Sequence, residues 1–181
     1  MARIYLIEGP VGAGKSTFAA SLATRIDRGV HIALDEWFTK LFSPDRPSTD
    51  LMPWYIERKA RLLDHIWKHV QSLLAGGVVP ILELGLVQRH SREDIYKRAR
   101  NVEVDLTVYL LQASREVRRA RVLRRNVERG PTFSMLVPTP FFELASDVWE
   151  EPDEVEMAEN RIEIVSTEGL AHPGIPADRG G

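Results

Sequence analysis

The chain has 181 residues, of which 44% are hydrophobic, and a formal net charge of −2. This length and composition predict one domain with a full core, and the small net charge does not favour a nucleic-acid or anionic-membrane surface. The absence of cysteine excludes disulfides and thiolate chemistry and fits a reducing compartment. We also expect no membrane span and no signal peptide, hence a cytoplasmic protein.

The N-terminal segment predicts a strand, a glycine-rich loop and a helix in immediate succession. Residues 3–8 are mostly apolar and β-prone, and they run directly into residues 9–16, GPVGAGKS. Phe18, Leu22 and Ile26 then recur at four-residue spacing, which is one apolar helix face. The loop matches the phosphate-binding pattern G-x-x-x-x-G-K-[ST], whereas the dinucleotide pattern G-x-G-x-x-G is absent. This succession therefore predicts a P-loop.

The residue types of the loop suit a phosphate ligand. Glycines let consecutive backbone N–H groups approach an anion that a Cβ would obstruct, and the next helix adds the positive end of its dipole. Lys15 is expected to bind the outer phosphates, and the Ser16 hydroxyl is expected to ligate Mg²⁺. The predicted nucleotide contacts are Gly9, Gly12, Ala13, Gly14, Lys15, Ser16 and Thr17.

Beyond the loop, apolar strand candidates alternate with helical segments, which is typical of an α/β domain with a parallel sheet. Further strands are predicted at residues 30–34, 78–84, 104–111 and 161–165, and further helices at 54–75, 91–100, 114–129 and 141–149. The last strand is expected at a sheet edge, and Pro80 is unfavourable for a central strand. The loops at 43–53 and 130–140 carry prolines. We predict one domain over 1–167, with a lid region at about 114–140 and a flexible tail at 168–181.

Two acidic residues follow or end predicted strands. The carboxyl ends of parallel strands form the ligand-binding edge of a doubly wound sheet, so both acids are expected near the loop. We interpret Asp35 as the group that orients an acceptor hydroxyl, although an N-cap of a turn starting at Glu36 also explains it. Glu83 interrupts an apolar strand, where a carboxylate needs compensation. A water-mediated Mg²⁺ contact and an arginine salt bridge are equal alternatives for it.

Arginines are concentrated in the predicted helix at 114–129. Such a face is usually solvated, but one or two arginines can also stabilise the charge of a phosphate ligand. Arg121 and Arg125 share a helix face and are the catalytic candidates, whereas the acidic segment 150–156 offers simple neutralisation. Arg89 and Arg92 follow the third strand, where an anionic group and solvent are equal alternatives.

Aromatic and histidine side chains offer weaker signals. Trp37, Phe38 and Phe42 follow Asp35 and are candidates for an acceptor pocket, although buried packing is the commoner role. His65 and His69 have a spacing that can hold a metal, but no H-E-x-x-H motif accompanies them and they flank the apolar stripe. We therefore interpret both as surface or boundary residues.

These features resemble the small P-loop kinases, specifically the AAA-type ATP-binding kinases grouped with chloramphenicol phosphotransferases, zeta toxins and polynucleotide kinases. The resemblance covers residues 3–129 and is carried by residues 9–17, Asp35, residues 83–86, Arg92, Arg121 and Arg125. It implies a three-layer P-loop NTPase sandwich, with a five-stranded parallel sheet in the order 2-3-1-4-5 and helices on both faces. It also implies ATP as donor and a role of Asp35 on the acceptor hydroxyl. Glu83 departs from the family, which usually ends the third strand in Asp.

The sequence therefore predicts an ATP- and Mg²⁺-dependent kinase that phosphorylates a hydroxyl of a small molecule. A polynucleotide 5′-hydroxyl is an alternative acceptor, which the arginine-dense helix permits and the net charge disfavours. A regulatory ATPase without an acceptor is a third possibility. A GTPase is not favoured, because no Asn-Lys-x-Asp motif is present.

Overall fold

A five-stranded parallel sheet forms the centre of the computed structural model, which describes residues 2–130, 133 and 135–169. Its strands are β1 (Arg3–Glu8), β2 (Gly29–Ala33), β3 (Val79–Glu83), β4 (Asp105–Gln112) and β5 (Ile162–Ser166). Their order is β2-β3-β1-β4-β5, and all four pairings are parallel. The predicted fold class, the strand order and the edge position of the last strand are therefore confirmed.

Helices cover both faces of this sheet. They are α1 (Lys15–Arg25), α2 (Leu34–Phe42), α3 (Leu51–Ala75), α4 (Arg89–Asn101), α5 (Arg115–Glu128), α6 (Thr139–Asp147) and α7 (Glu154–Glu159), with a 3₁₀ turn at Ser43–Asp45. Successive side chains of β1 enter opposite cores, as the pleat of a strand requires. Tyr5 and Ile7 pack with α1, whereas Ile4 and Leu6 pack with α2, α3 and α4. None of the described helices has the length and apolar character needed to cross a membrane.

Several predicted helix starts are wrong. Residue 35 lies in the first turn of α2, whose N-cap is Ala33, so the capping interpretation of Asp35 is wrong. The start of α3 comes earlier than residue 54 and includes Pro53, because a proline in the first turn needs no N–H partner. Helix α4 begins at residue 89 with Gln88 as N-cap, so Ser91 is not its cap.

The sheet and the C-terminal segment also differ from the prediction in detail. Pro80 pairs with Val30 on the β2 side, while the register with β1 begins at Ile81, so the missing N–H falls before that ladder. The short helix α7 was not predicted; Asp153 caps it by accepting a hydrogen bond from the Glu156 N–H at 2.8 Å. Residues 170–181 of the predicted tail, and residues 131, 132 and 134 of the predicted lid region, lie outside the described residues.

Candidate active site

The phosphate-binding loop connects β1 to the first turn of α1. Gly12 and Gly14 have φ values of 81° and 96°, which L side chains rarely adopt. A Cβ on Gly12 would lie 2.7 Å from the Arg118 carbonyl oxygen, because α5 packs directly against the loop. At Gly14, a Cβ would meet no atom within 4 Å. The loop is therefore closed on its α5 side and open at the N-terminus of α1, where backbone N–H groups can hold an anion.

The ammonium of Lys15 lies on this loop. Its Nζ donates hydrogen bonds to the carbonyls of Gly9 at 2.7 Å and Pro10 at 3.0 Å. Burial lowers the pKa of Lys15, and the negative charges of Glu83 and Asp35 partly offset that effect. Both acids that the sequence singled out therefore act electrostatically on the same lysine.

The third strand ends beside the first turn of α1. The Ser16 hydroxyl donates to Glu83 Oε1 at 2.8 Å, and His31 Nε2 lies 3.1 Å from Glu83 Oε2. Burial alone would raise the pKa of Glu83, but the hydrogen bond with His31 and the charge of Lys15 bring that pKa below its usual value. Glu83 contacts His31 rather than an arginine, so the salt-bridge alternative does not describe it.

These groups fit a magnesium ion bound together with phosphate. Mg²⁺ prefers hard oxygen ligands, keeps several waters and takes one or two protein groups plus phosphate oxygens. Ser16 and Glu83 offer a hydroxyl and an ionised carboxylate beside the open end of the loop. Within the described ranges, no group of three or more His, Cys, Asp or Glu side chains could hold a metal by itself.

His65 and His69 are both exposed, which agrees with their interpretation as surface or boundary residues.

Asp35 lies near Lys15 and Glu83, whose charges act on it, and we call the region between these three side chains the cleft. The Asp35 side chain is exposed to solvent, yet the surrounding protein partly desolvates the carboxylate, and the Glu83 charge repels it; both effects raise the pKa of Asp35. The positive charges of Lys59, Lys15 and Arg125 oppose this rise. The structure thus brings Asp35, Lys15 and Glu83 together, as the sequence predicted. Their functional roles remain predictions.

Lys59 of α3 is a member of the cleft that sequence reasoning missed. Its Nζ donates to the Gly85 carbonyl at 2.9 Å, and an added Cβ on Gly85 would lie 3.9 Å from Asp35 Oδ1. Burial lowers the pKa of Lys59, and the Asp35 charge opposes that effect. The helix carries several basic residues, and periodicity alone did not distinguish the one that turns inward.

The structure separates the two arginines that the sequence paired. Arg125 faces the cleft: burial lowers its pKa, the charges of Asp35 and Glu83 oppose this, and its Nε is buried without a hydrogen-bond partner in the described part of the chain. Arg121 instead donates to the hydroxyl and the carbonyl of Thr167, just beyond β5. Only Arg125 of this pair is therefore placed toward the predicted phosphate position.

The acidic residues that neutralise α5 come from a different segment than predicted. Arg115 and Arg119 both form ion pairs with Glu143 of α6. Segment 150–156 instead pairs with α4, because Asp153 and Glu156 contact Arg89 and Arg92. The prediction that segment 150–156 neutralises the α5 arginines therefore fails for Arg115 and Arg119, whereas the Glu151 charge does act on Arg118. The ion pairs of the segment are with the arginines of α4.

Arg92 belongs to a buried ionic cluster rather than to a ligand site. Its guanidinium is fully buried and donates to both oxygens of Glu156, at 2.6 and 2.9 Å. Glu8, the last residue of β1, lies 3.9 Å away and accepts a hydrogen bond from the Tyr96 hydroxyl at 3.0 Å. Desolvation raises the pKa of Glu8 to about 8, although Arg92 lowers it. The anion that Arg92 faces is thus supplied by the protein itself.

The aromatic residues after Asp35 pack internally. Phe38 is buried, with its ring 5.2 Å from Phe42 and 5.7 Å from Trp54, and the Trp37 ring lies 5.8 Å from the His69 ring. These contacts match the packing interpretation.

A cavity of about 420 Å³ lies beside the loop, on the side away from Asp35's helix, at the carboxyl ends of β4 and β5. Pro10, Arg118 and Trp149 contribute to its walls, together with polar groups of Gln112 and Glu151. Within these walls, Glu151 accepts hydrogen bonds from Gln112 Nε2 at 2.6 Å and from Trp149 Nε1 at 2.7 Å.

The comparisons with known proteins agree with this architecture. A gluconokinase from Sinorhizobium meliloti is 18% identical, with a TM-score of 0.61 over 93% of this chain and 85% of that one. Kti12 from Chaetomium thermophilum, in complex with ADP-AlF3, is 17% identical, with a TM-score of 0.67 over 93% and 91% of the two chains. A chain of the Pnkp1/Rnl/Hen1 RNA repair complex is 18% identical, with a TM-score of 0.61 over 97% of this chain and 48% of that one.

At these identities, the solved structures show a shared P-loop kinase-like fold. No curated protein is significantly similar in sequence. The profile of a family described as an AAA domain matches residues 4–137, which include the loop, Asp35, Glu83 and the arginine-dense helix. Since this match spans most of the chain, the protein belongs to the AAA domain family.

Proposed function

We propose that this protein is an ATP- and Mg²⁺-dependent kinase that transfers the γ-phosphate to a hydroxyl group of a small molecule. The observation that supports it best is the placement of Asp35, a solvent-accessible carboxylate with a raised pKa, in the cleft that also contains Lys15 and Glu83. Phosphoryl transfer needs a phosphate cradle, cations and a group that orients the acceptor, and in this proposal the loop, Lys15 and Asp35 supply them.

Each residue has a distinct part in the proposed transfer. The hydroxyl oxygen of the substrate forms a bond to the γ-phosphorus, and Asp35 accepts the proton of that hydroxyl. The bond between the γ-phosphorus and the bridging oxygen breaks, and ADP leaves with the electron pair. Lys15 and Arg125 stabilise the negative charge on the transferring group. Ser16 and Glu83 would hold Mg²⁺, which would further neutralise the charge of the phosphate oxygens. The nucleotide base occupies the cavity beside Pro10.

The test is transfer of labelled γ-phosphate from ATP, with Mg²⁺, to hydroxyl-bearing metabolites and antibiotics, scored for a labelled product. We expect at least one small acceptor to be labelled, and labelling to stop when EDTA removes the metal. A 5′-hydroxyl oligonucleotide and a reaction without acceptor serve as separate arms. Labelling of the oligonucleotide alone, or ATP hydrolysis that no acceptor changes, would contradict the small-molecule kinase in favour of the two alternatives.

Desolvation and the Glu83 charge raise the pKa of Asp35, and the cation of Lys59 opposes them. Because the Lys59 charge lowers the pKa of Asp35, replacing it by Lys59→Met should raise that pKa further. Asp35 acts as a base only when ionised, so the acid limb of the kcat profile should move to higher pH. The ¹³C shift of the Asp35 carboxyl, followed through a pH titration, measures the same change without an acceptor.

Two variants control this experiment. Lys59→Arg keeps the charge and should leave the titration near its wild-type position. Lys68→Met removes an exposed cation of the same helix and should not move it. An Asp35 titration that is unchanged in Lys59→Met would show that the lysine does not act on this carboxylate.

A further inference from the structure

The outer side of the phosphate-binding loop is tied to the chain just beyond β5. Thr167 is fully buried, and its Oγ1 lies 3.0 Å from the Ala13 carbonyl oxygen and 3.1 Å from that of Gln112. Arg121 Nη1 donates to the same Oγ1 at 2.9 Å, and Nη2 donates to the Thr167 carbonyl. A hydroxyl has one proton, and the Gln112 carbonyl already accepts the Thr167 backbone N–H at 2.8 Å. Thr167 therefore accepts from Arg121, and we assign its hydroxyl proton to the Ala13 carbonyl.

Neighbouring carbonyls of the loop are also engaged by side chains of the protein. Arg118 Nη1 donates to the Val11 carbonyl at 2.9 Å, and Lys15 Nζ donates to those of Gly9 and Pro10. In a planar trans peptide, the N–H of the next residue points away from the carbonyl. Fixing the Val11 and Ala13 carbonyls on the protein side therefore directs the following N–H groups, of Gly12 and Gly14, to the opposite side.

We propose that Arg121 and Thr167 are positioning residues of the phosphate site, and that Arg121 does not bind phosphate itself. The Arg121 guanidinium donates a hydrogen bond to the Thr167 hydroxyl oxygen, so the hydroxyl proton points toward the Ala13 carbonyl. This hydrogen bond holds the Ala13 carbonyl away from the ligand. The Gly14 N–H is thereby presented to the phosphate in the absence of ligand, which lowers the cost of ordering the loop on binding. This inference rests on the proposed nucleotide site and deepens it.

The sharpest test compares a ligand that carries phosphates with one that lacks them. ADP with Mg²⁺ and adenosine are titrated by calorimetry against wild type, Thr167→Val and Thr167→Ser. Valine has the shape of threonine without its hydroxyl, so we expect about tenfold weaker binding of ADP, the effect of about one hydrogen bond. Adenosine affinity should fall less than ADP affinity, because Ser166 and Glu168 line the base cavity but the buried Thr167 hydroxyl does not. Serine keeps the hydroxyl and should restore most of the ADP affinity.

Arg121 is tested with a matched arginine of the same helix. Arg121→Met should weaken ADP binding in the same direction, whereas Arg124→Met, which removes a largely exposed guanidinium, should not. The ¹⁵N–¹H signal of Gly14 reports on the loop directly. We expect it to shift in Arg121→Met before any ligand is added and to stay in place in Arg124→Met.

The possible outcomes separate this inference from the proposed function. Equal losses of ADP and adenosine affinity in Thr167→Val would show a general packing role and overturn the positioning role. Wild-type ADP affinity in both Thr167→Val and Arg121→Met would also overturn it. If Thr167→Val does not fold, Arg121→Met decides the question by itself. A wild-type protein that binds neither ADP nor ATP contradicts the proposed function, and this inference with it.

Discussion

The Asp35→Asn variant is expected to lose about 10²–10⁴-fold in kcat for phosphoryl transfer, the usual contribution of a positioned general base. Asparagine has nearly the same shape and can still orient a hydroxyl, but it cannot accept the proton as the new bond forms. Because the carboxylate is solvent-accessible in the wild type, the substitution buries no new polar group. Steady-state kinetics with the identified acceptor measure the loss, and calorimetry with ATP and Mg²⁺ should show affinity within about threefold of wild type.

The adjacent acid provides the control for this variant. Glu36 lies on the same helix turn, and its carboxylate forms an exposed ion pair with Lys40, so Glu36→Gln should transfer phosphate at the wild-type rate. If Asp35→Asn transferred phosphate at the wild-type rate as well, the role assigned to Asp35 would be wrong. A parallel loss of ATP affinity would instead place Asp35 in nucleotide binding.

Lys15→Met should lower kcat/KM for ATP by at least about 100-fold, which is the cost of removing one charge-stabilising donor from a preorganised site. The substitution acts twice here. It removes the cation nearest to the predicted phosphates, and it removes the two hydrogen bonds that hold the Gly9 and Pro10 carbonyls. Single-turnover transfer from labelled ATP measures the loss of the chemical step, and calorimetry measures nucleotide affinity.

A lysine outside the cleft is the matched control. Lys40→Met removes an exposed ammonium of α2 and should retain wild-type kinetics. Circular dichroism of Lys15→Met should match that of the wild type, because neither core includes this side chain. Its unfolding temperature should fall modestly, because the Gly9 and Pro10 carbonyls lose their donor. A folded Lys15→Met protein with wild-type turnover would exclude the loop as the phosphate-binding element.

The strand, loop and helix at the N-terminus could be predicted because local chemistry determines them. Apolar β-prone residues, three glycines and an apolar helix face follow one another within residues 3–26, and each signal is complete in its own segment. The same holds for the sheet, whose buried strands are short apolar runs. Helix starts were less predictable. Pro53 and Ser91 are each compatible with more than one position near a helix N-terminus, so residue type alone did not determine where α3 and α4 begin.

The arginines show where local information ends. Arg121 and Arg125 are equivalent in sequence, four residues apart on one helix face, yet one donates to Thr167 and the other faces Asp35 and Glu83. Arg92 finds its partner at Glu156, 64 positions away. A long flexible side chain pairs with whichever carboxylate or carbonyl the chain path brings within a few ångströms.

Local residue types therefore established the phosphate loop, the parallel α/β sheet and the two acids at its carboxyl edge, because glycine conformations, apolar periodicity and strand ends are properties of short segments. Only the tertiary structure decided that Lys59 turns inward, that Arg121 and Arg125 have different partners and that Thr167 contacts the loop. Those contacts depend on distances between elements, which no pattern of neighbouring residues encodes.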